Sequence, residues 1–263
     1  MSTSKPVVLA IAGLDPSGGA GIVADIKTIA AVGCFPAAAL TSITYQNTIG
    51  VFGVENQTAA TLRSQVMPIV QDLNVAGAKT GMLPTAEIVA EVARLFSEEN
   101  LPAPVVDPVV VATSRDVLID EEAFQILKTR LFPLARVVTP NIPEAEKLAG
   151  FAIESEDDMR RAAEVIQSIG ARAVLVKGGH RFRQQGQGTG AVDILLSDGI
   201  FTEFRSDYLE VGEVHGSGCT LSAALAACLG KGLMLEEAVT AAKKYVTDAI
   251  RAAPRIGHGA RPL

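Results

Sequence analysis

A glycine-rich turn in the last quarter of the chain has the residue types best suited to chemistry. Gly216, Ser217 and Gly218 precede Cys219 and an Ala- and Leu-rich run that predicts a helix. Two glycines allow a tight backbone turn, and a helix start supplies unpaired N–H donors with partial positive charge. Such a turn can hold a transferring phosphoryl group as an anion hole. The alternative is an ordinary turn with Ser217 as helix N-cap, but the other polar loops of the chain favour the anion hole.

Cys219 falls in the first turn of that predicted helix, where the dipole is expected to lower the thiol pKa from about 8.5. The thiol could be a general base for a substrate hydroxyl or only a compact neighbour of the turn. Cys34 and Cys228 are predicted to be small buried hydrophobic residues. Three widely spaced cysteines without a C-x-x-C motif argue against a disulfide framework or a cysteine zinc site, and are typical of a reducing compartment.

Other polar residues follow predicted strands. Asn141 and Glu144 have the spacing of a helix capping box, or could help to place Mg²⁺ through water. Asp107 ends a strand and is a candidate site residue or the cap of a turn. Lys177 ends another strand before two glycines, where it could meet a phosphate or lie at an exposed edge.

Two segments that look like nucleotide-binding loops lack the required spacing. Residues 21–28 end in Lys-Thr, but Ile26 occupies the position at which a Walker A loop needs glycine. Residues 186–190 lack the G-x-G-x-x-G spacing of a dinucleotide fingerprint. That loop, with Arg181 and Arg183 before it, could be a flap over a nucleotide or a merely solvated loop.

The elements that must position these loops alternate along the whole chain. Strands are predicted at residues 7–12, 37–44, 76–80, 105–107, 137–139, 173–176, 191–196 and 200–204, the last two as a hairpin. Helices are predicted at residues 22–31, 58–73, 84–97, 121–131, 157–169, 219–229 and 235–252. This alternation predicts one α/β domain over residues 1–263, a three-layer αβα sandwich with a mostly parallel central sheet. Ligands of such sheets gather beyond the carboxyl ends of the strands, so the polar loops should meet at one edge.

The bulk composition excludes several classes of protein. A formal net charge of −6 argues against broad nucleic-acid binding. No apolar run approaches the roughly 20 residues that a membrane helix needs, and no signal-peptide pattern follows the N-terminus. We therefore expect a cytoplasmic protein that binds neither nucleic acid nor membrane.

In this order and spacing, the motifs resemble the hydroxymethylpyrimidine kinase/phosphomethylpyrimidine kinase family of thiamine biosynthesis, within the ribokinase-like superfamily. The resemblance covers essentially the whole chain. The segments that carry it are Gly13-Leu14-Asp15-Pro16-Ser17-Gly18-Gly19-Ala20-Gly21, Ala24-Asp25-Ile26-Lys27-Thr28, Gln46-Asn47-Thr48, Gly81-Met82-Leu83, Val106-Asp107-Pro108-Val109, Thr139-Pro140-Asn141 with Glu144, Val176-Lys177-Gly178-Gly179-His180 and His215-Gly216-Ser217-Gly218-Cys219-Thr220.

The resemblance implies a ribokinase-like fold and an enzyme that phosphorylates 4-amino-5-hydroxymethyl-2-methylpyrimidine, then converts the monophosphate to the diphosphate. ATP and Mg²⁺ would be required, and a homodimer is usual. The implied substrate pocket is formed by Gln46, Gly13, Asp25 and Met82. The implied phosphate and metal region is formed by Asp107, Glu144 and Lys177, with Gly216, Ser217 and Gly218 as anion hole and Cys219 nearest the substrate hydroxyl. His215 is expected to be a structural partner of the turn.

The chain departs from the usual family pattern at a few positions. Leu14 and Val23 stand where serine and glutamine are common, Tyr45 replaces a small residue, Ser217 replaces threonine and Arg115 replaces a glycine. Since Tyr45 and Leu14 could reshape the substrate pocket, a pyridoxal kinase of the same superfamily is an alternative. A non-catalytic pyrimidine- or nucleotide-binding regulator is another, although intact site motifs argue against it.

Overall fold

A computed structural model describes residues 5–110, 119–179, 190–207, 209 and 211–263. Arg115, His180 and the predicted flap with Arg181 and Arg183, except for Gly190, lie outside the described residues.

One large sheet forms the centre of the molecule. Within the described residues, its nine strands lie in the order β3-β2-β1-β4-β5-β6-β7-β8-β9. Strands β2, β1, β4, β5, β6 and β7 are parallel, whereas β3, β8 and β9 pair antiparallel to their neighbours. The strands are β1 Val7–Leu14, β2 Phe35–Gln46, β3 Val51–Asn56, β4 Val75–Thr80, β5 Val105–Val106, β6 Val137–Val138, β7 Ala173–Lys177, β8 Gly190–Ser197 and β9 Ile200–Asp207.

Helices cover both faces of this sheet, as predicted. The helices are α1 Gly21–Ala31, α2 Ala59–Asp72, α3 Ala86–Glu98, α4 Glu121–Ile126, α5 Ile142–Ala149, α6 Glu156–Ser168, α7 Ser217–Gly230 and α8 Leu235–Ala252. Apolar residues of α1, α7 and α8 form one core with one face of the sheet. Those of α2 to α6 form a second core with the other face. The predicted three-layer αβα sandwich with a mostly parallel sheet is therefore confirmed.

Helix α7 is the most enclosed element of the first core. Its residues from Thr220 to Cys228 are all buried, because the helix packs against α1, α8, β1 and β4. Small Ala side chains allow such close approach on every side, and a helix that is apolar all round must be buried. The core thereby fixes the position of the turn from which α7 starts.

Some predicted elements differ from the structure. The edge strand β3 was not predicted, because none of its residues is buried and its sequence lacks the apolar–polar alternation of a half-buried strand. The predicted helix at 121–131 is α-helical only to Ile126 and continues as a π-helical turn, Leu127–Leu131. The predicted hairpin is confirmed, with Asp198 and Gly199 both at positive φ in its turn, as two-residue hairpin turns require.

Candidate active site

The glycine-rich turn joins a short strand to the start of α7. Strand β10, Val214–His215, leads into Gly216, which is the N-cap of the helix with a φ of 89°. A Cβ atom at this position would lie 1.8 Å from the carbonyl oxygen of Gly19. Glycine is therefore required by both conformation and space. The alternative interpretation of Ser217 as N-cap is wrong, since Ser217 is already the first helical residue.

Two cavities meet at this turn. One has a volume of about 380 Å³ and is lined by Gly13, Gln46, Met82 and Cys219 among others; we call it the acceptor cavity. The second has a volume of about 260 Å³ and lies towards α8; we call it the outer cavity. Their linings share Asn141, Lys177, Ser217 and Gly218. A group on the turn can thus be reached from both sides.

Charged side chains converge on the turn from two strand ends. Lys177 Nζ lies 2.8 Å from Asp107 Oδ1. A Cβ atom on Gly218 would lie 3.3 Å from Lys177 Nζ and 3.5 Å from Asp107 Oδ2. Ser222 Oγ donates to the same Asp107 oxygen at 3.4 Å. The turn therefore faces an ammonium group and a carboxylate that the parallel strands bring to one edge.

Glu144 lies in the same cluster, where it both caps helix α5 and carries a buried carboxyl group. Its backbone N–H donates to Asn141 Oδ1 at 2.9 Å, and its carboxylate accepts from the Asn141 backbone at 2.8 Å, so the predicted capping box is confirmed. Burial raises the pKa of Glu144 to about 7, against the attraction of Lys177 and with repulsion from Asp107 adding to it. Two buried carboxylates near each other favour a bound cation.

Lys177 remains charged in this cluster. Burial acts to lower its pKa, but attraction by Asp107 and Glu144 raises it overall. Within the described residues, no group of three or more His, Cys, Asp and Glu side chains could hold a metal ion by itself. Asp107 and Glu144 supply carboxylate oxygens, which are the ligand type that Mg²⁺ takes in proteins.

Cys219 is half-buried and lines the acceptor cavity. Burial raises the pKa of its thiol to about 11, with attraction by Lys79 opposing the rise and repulsion by Asp25 and Asp107 adding to it. The expectation of a lowered thiol pKa is therefore wrong. The helix start contributes less than the desolvation of the thiolate.

A fully buried ion pair lies next to this thiol. Lys79 Nζ lies 2.7 Å and 2.8 Å from the two oxygens of Asp25, and both side chains are 0% exposed. Burial raises the pKa of Asp25 to about 6, against the attraction of Lys79. Asp25 therefore stands behind the acceptor cavity, outside its lining, whereas Gly13, Gln46 and Met82 line it.

The far wall of the acceptor cavity is a hydrogen-bonded cluster. Gln46 Nε2 lies 2.8 Å from His215 Nε2, which lies 3.2 Å from Asp15 Oδ2. Thr44 Oγ1 lies 3.2 Å from Gln46 Oε1. Tyr45, in contrast, is 53% exposed and contacts Glu55, so it points away from the cavity that Leu14 helps to line.

The C-terminal segment closes the side of this cavity. Strand β11, Arg261–Pro262, pairs in parallel with β10. The Ala260 backbone N–H donates to the Thr48 carbonyl oxygen at 3.0 Å. Gly259 and Ala260 line the cavity, so the segment ties the loop after β2 to the strand before the glycine-rich turn.

Comparisons with known proteins identify the family of this chain. The family model described as phosphomethylpyrimidine kinase matches residues 15–263. The chain belongs to the phosphomethylpyrimidine kinase family. Within this family, it is 42% identical over 260 residues to the hydroxymethylpyrimidine/phosphomethylpyrimidine kinase of Streptomyces coelicolor. The aligned region covers 99% of this chain and 94% of that protein.

Two further relatives of this phosphomethylpyrimidine kinase family member bear on its function. It is 44% identical over 256 residues to the thiamine biosynthesis bifunctional protein ThiED of Geobacter sulfurreducens, which is 97% of this chain and 51% of that protein. The chain thus spans about half the length of that relative. The ADP complex of Bacillus subtilis pyridoxal kinase is a solved structure that matches with a TM-score of 0.89 and 36% identity, covering 98% of this chain and 96% of that chain.

Some residues of the site carry more contacts than the sequence indicates. Lys79 was given no role from the sequence, although a lysine inside the apolar run of β4 is a usable signal of a buried pair. Asp15 was part of a recognised motif without a role. His215, expected to be a structural partner of the turn, also faces Gln46 and Asp15. In the described part of the chain, no helix is long and apolar enough to cross a membrane.

Proposed function

We propose that this chain is a single kinase domain, residues 1–263, that transfers phosphate from ATP to 4-amino-5-hydroxymethyl-2-methylpyrimidine and then to the resulting monophosphate. The observation that carries the proposal is the pair of cavities that share the glycine-rich turn. A phosphoryl donor in the outer cavity and an acceptor in the acceptor cavity would meet at Gly218. Membership of the phosphomethylpyrimidine kinase family supports this assignment.

The chain's own groups suit phosphoryl transfer. Backbone N–H groups of Ser217 and Gly218 would stabilise charge on the transferring group as a preorganised anion hole. Lys177 would neutralise phosphate oxygens from the opposite side. In the acceptor cavity, Gln46 would bind the pyrimidine by hydrogen bonds, with Gly13 and Met82 packing beside the ring.

Asp107 and Glu144 would hold Mg²⁺. When bound there, the ion would supply positive charge that offsets the negative charge developing on the transferring phosphate. Both carboxylates line the acceptor cavity near Lys177, which also lines the outer cavity. The raised pKa of Glu144 supports this proposal, because a nearby cation stabilises the ionised form of a carboxyl group whose pKa is about 7.

A thiol at Cys219, which is a base when ionised and neutral when protonated, suits an enzyme with two successive acceptors. An alcohol gains from a nearby base in the first step, whereas a phosphate monoester carries about 1.5–2 negative charges near neutral pH and needs none. A fixed carboxylate in place of the thiol would repel that second acceptor. Cys219→Asp should therefore harm the second step more than the first.

One ADP-release assay tests the proposal with four acceptors in parallel: the hydroxymethylpyrimidine, its monophosphate, pyridoxal and ribose. We expect ADP release with the first two. A preference for ribose would overturn the substrate assignment, and no release with any acceptor would favour a non-catalytic regulator.

A pyridoxal kinase is the second candidate function. The structural match to Bacillus subtilis pyridoxal kinase favours it, because pyridoxal also carries a hydroxymethyl group on a substituted six-membered ring. Gln46 decides between the two, since its amide offers both a donor and an acceptor to an aminopyrimidine. Gln46→Met should reduce phosphorylation of the hydroxymethylpyrimidine far more than that of pyridoxal.

We further propose that the enzyme acts in the cytoplasm as a homodimer. The exposed apolar residues Phe52 and Val54 on the edge strand β3 support association, because such edges are normally covered. Sedimentation equilibrium should give twice the chain mass of 27.4 kDa, and a monomer at micromolar concentration would contradict this proposal.

A further inference from the structure

The acceptor cavity contains a chain of hydrogen bonds centred on Gln46. At one end, Thr44 Oγ1 lies 2.8 Å from the Leu14 carbonyl oxygen and 3.2 Å from the Gln46 amide atom placed as Oε1. At the other end, the amide atom placed as Nε2 lies 2.8 Å from His215 Nε2. That same histidine nitrogen lies 3.2 Å from Asp15 Oδ2. The two ends of the amide thus face groups of different hydrogen-bonding character.

The number of hydroxyl protons on Thr44 determines which atom of the Gln46 amide faces it. The Leu14 carbonyl oxygen can only accept, so the single hydroxyl proton of Thr44 is used there. Thr44 Oγ1 can then only accept from Gln46. The amide nitrogen must therefore face Thr44, and the oxygen must face His215, which is the orientation reached by a 180° rotation of the amide about its last bond.

The hydrogen bonds at the Asp15 end of this network lead to the same orientation of the Gln46 amide. Asp15 accepts hydrogen bonds from the backbone N–H groups of Ser17 at 2.8 Å and Ala20 at 2.9 Å. Although burial opposes it, hydrogen bonds from His215 and Ser17 hold the pKa of Asp15 below its usual value. The ionised carboxylate can only accept, so His215 Nε2 must carry a proton. That N–H is then shared between Asp15 Oδ2 and the Gln46 amide oxygen.

The surrounding backbone holds the histidine ring in place. A Cβ atom on Gly19 would lie 3.0 Å from His215 Cδ2 and 3.0 Å from Pro262. His215 is also the residue before Gly216 and pairs with Pro262 in the parallel bridge of β10 and β11. The ring thus has little freedom to turn away from Gln46.

We propose that Asp15, His215 and Thr44 are positioning residues that hold the Gln46 amide in one orientation and thereby set the acceptor specificity. The head of the amide then presents its oxygen on the His215 side and an N–H on the Thr44 side. This pattern matches an aromatic ring nitrogen with an amino group on the adjacent carbon, because the amino group donates and the ring nitrogen accepts. The inference rests on the proposed function for the identity of the acceptor.

The test compares 4-amino-5-hydroxymethyl-2-methylpyrimidine with the analogue that lacks the amino group. The ratio of the two kcat/KM values measures recognition of the donor–acceptor edge, and we expect about 10-fold or more in the unmodified enzyme. Thr44→Val removes the acceptor that orients the amide nitrogen, and His215→Leu removes the donor that orients the oxygen. In both variants, the ratio of the two kcat/KM values should fall at least about 5-fold, because the KM for the aminopyrimidine rises. The KM for ATP should be unchanged.

Two matched variants control for damage to the fold. Thr41 lies on the same strand β2, is also buried, and its Oγ1 donates to the Met82 carbonyl oxygen at 2.7 Å. Thr41→Val therefore loses an equivalent hydrogen bond without touching Gln46, and should keep the ratio. His215→Gln keeps an N–H donor at a similar reach and should restore most of the ratio that His215→Leu loses.

The outcomes separate the inference from the function on which it rests. If Thr44→Val and His215→Leu slow both acceptors equally and keep the unmodified ratio, the orienting role is overturned. If Thr41→Val loses the ratio as much as Thr44→Val, the effect belongs to strand packing and the inference is also overturned. If the unmodified enzyme releases no ADP with the aminopyrimidine, the proposed function fails first and takes the inference with it.

Discussion

The buried pair of Lys79 and Asp25 should shift the pKa of Cys219 in opposite directions when each partner is replaced. Attraction by Lys79 lowers the thiol pKa, whereas repulsion by Asp25 raises it. Asp107 also repels the thiolate and raises the thiol pKa, whereas Lys177 and the thiolate attract each other. Asp25→Asn removes this repulsion, while Asp107 still favours the charged form of Lys79, so the thiol pKa should fall.

The magnitude follows from Coulomb's law. A unit charge at about 6–10 Å in a medium of effective dielectric constant about 20 contributes about 1.7–2.8 kcal/mol, which corresponds to about 1–2 pKa units. With a pKa of about 11, the thiolate fraction of Cys219 at pH 8 is about 0.001. Asp25→Asn should raise this fraction about 10- to 100-fold.

Lys79→Met should act in the other direction and more weakly. The Asp25 carboxyl group has a pKa of about 6 beside the ammonium, and without it the buried group takes up a proton. Cys219 then loses the attraction of Lys79 and the repulsion of Asp25 together, and its pKa rises slightly. The double variant Lys79→Met/Asp25→Asn should therefore resemble Lys79→Met.

The assay is the rate of iodoacetamide alkylation of Cys219 between pH 6.5 and 10. Cys34→Ala and Cys228→Ala remove the two other cysteines, both buried, and Mg²⁺ and nucleotide are left out. Circular dichroism checks that each variant is folded. If Asp25→Asn and Lys79→Met change the alkylation rate in the same direction, the ion pair has only a structural role and the electrostatic reasoning is refuted.

Three further predictions test the turn, the carboxylates and the thiol. Gly216→Ala should reduce kcat at least about 100-fold, because its Cβ would meet the Gly19 carbonyl oxygen at 1.8 Å. The matched control is Gly232→Ala, since Gly232 has a similar φ of 88° and no described heavy atom would lie within 4 Å of the added Cβ. This control should keep activity and lose about 1–2 kcal/mol of unfolding free energy. Burial raises the pKa of Glu144 from 4.5 to about 7, so its contribution to stability is present below pH 4.5 and lost as the pH rises through about 7. In EDTA, the free energy of unfolding measured with urea should decline by about 3 kcal/mol less between pH 4.5 and 8 in Glu144→Gln than in the unmodified protein. An unchanged decline would contradict the assignment. Cys219→Ala should lose ADP release with the alcohol acceptor and keep it with the monophosphate, so equal losses would refute the two-acceptor argument.

Local patterns predicted the parts of the structure that depend on neighbours in sequence. The capping box of Asn141 and Glu144 follows from a spacing of three residues. The hairpin turn at Asp198 follows from the Ser-Asp-Gly signal. Alternation of strands and helices predicted the layers, and the rule for parallel sheets predicted that Asp107 and Lys177 would meet at one edge.

Properties set by distant contacts could not be predicted in the same way. The dipole rule for Cys219 considers one helix, whereas its pKa depends on burial and on charges from α1 and β4. Asp25 was expected to line the substrate pocket, but its partner Lys79 lies 54 positions away and holds it behind the lining. His215 and Asp15 are 200 positions apart, and no local pattern indicates that they touch.

The burial of α7 determines when the site can exist during synthesis. Strands β1 and β4 and helix α1 leave the ribosome well before α7, against which they pack. At about 5–20 residues per second, the roughly 140 residues between β4 and α7 take about 7–28 s to make. During that interval only α1 covers this face of the nascent sheet, and the apolar surface that α7 and α8 later cover remains exposed. A chain released in this window lacks both the glycine-rich turn and the packing around α7, so premature termination should yield aggregation-prone protein rather than a partly active kinase.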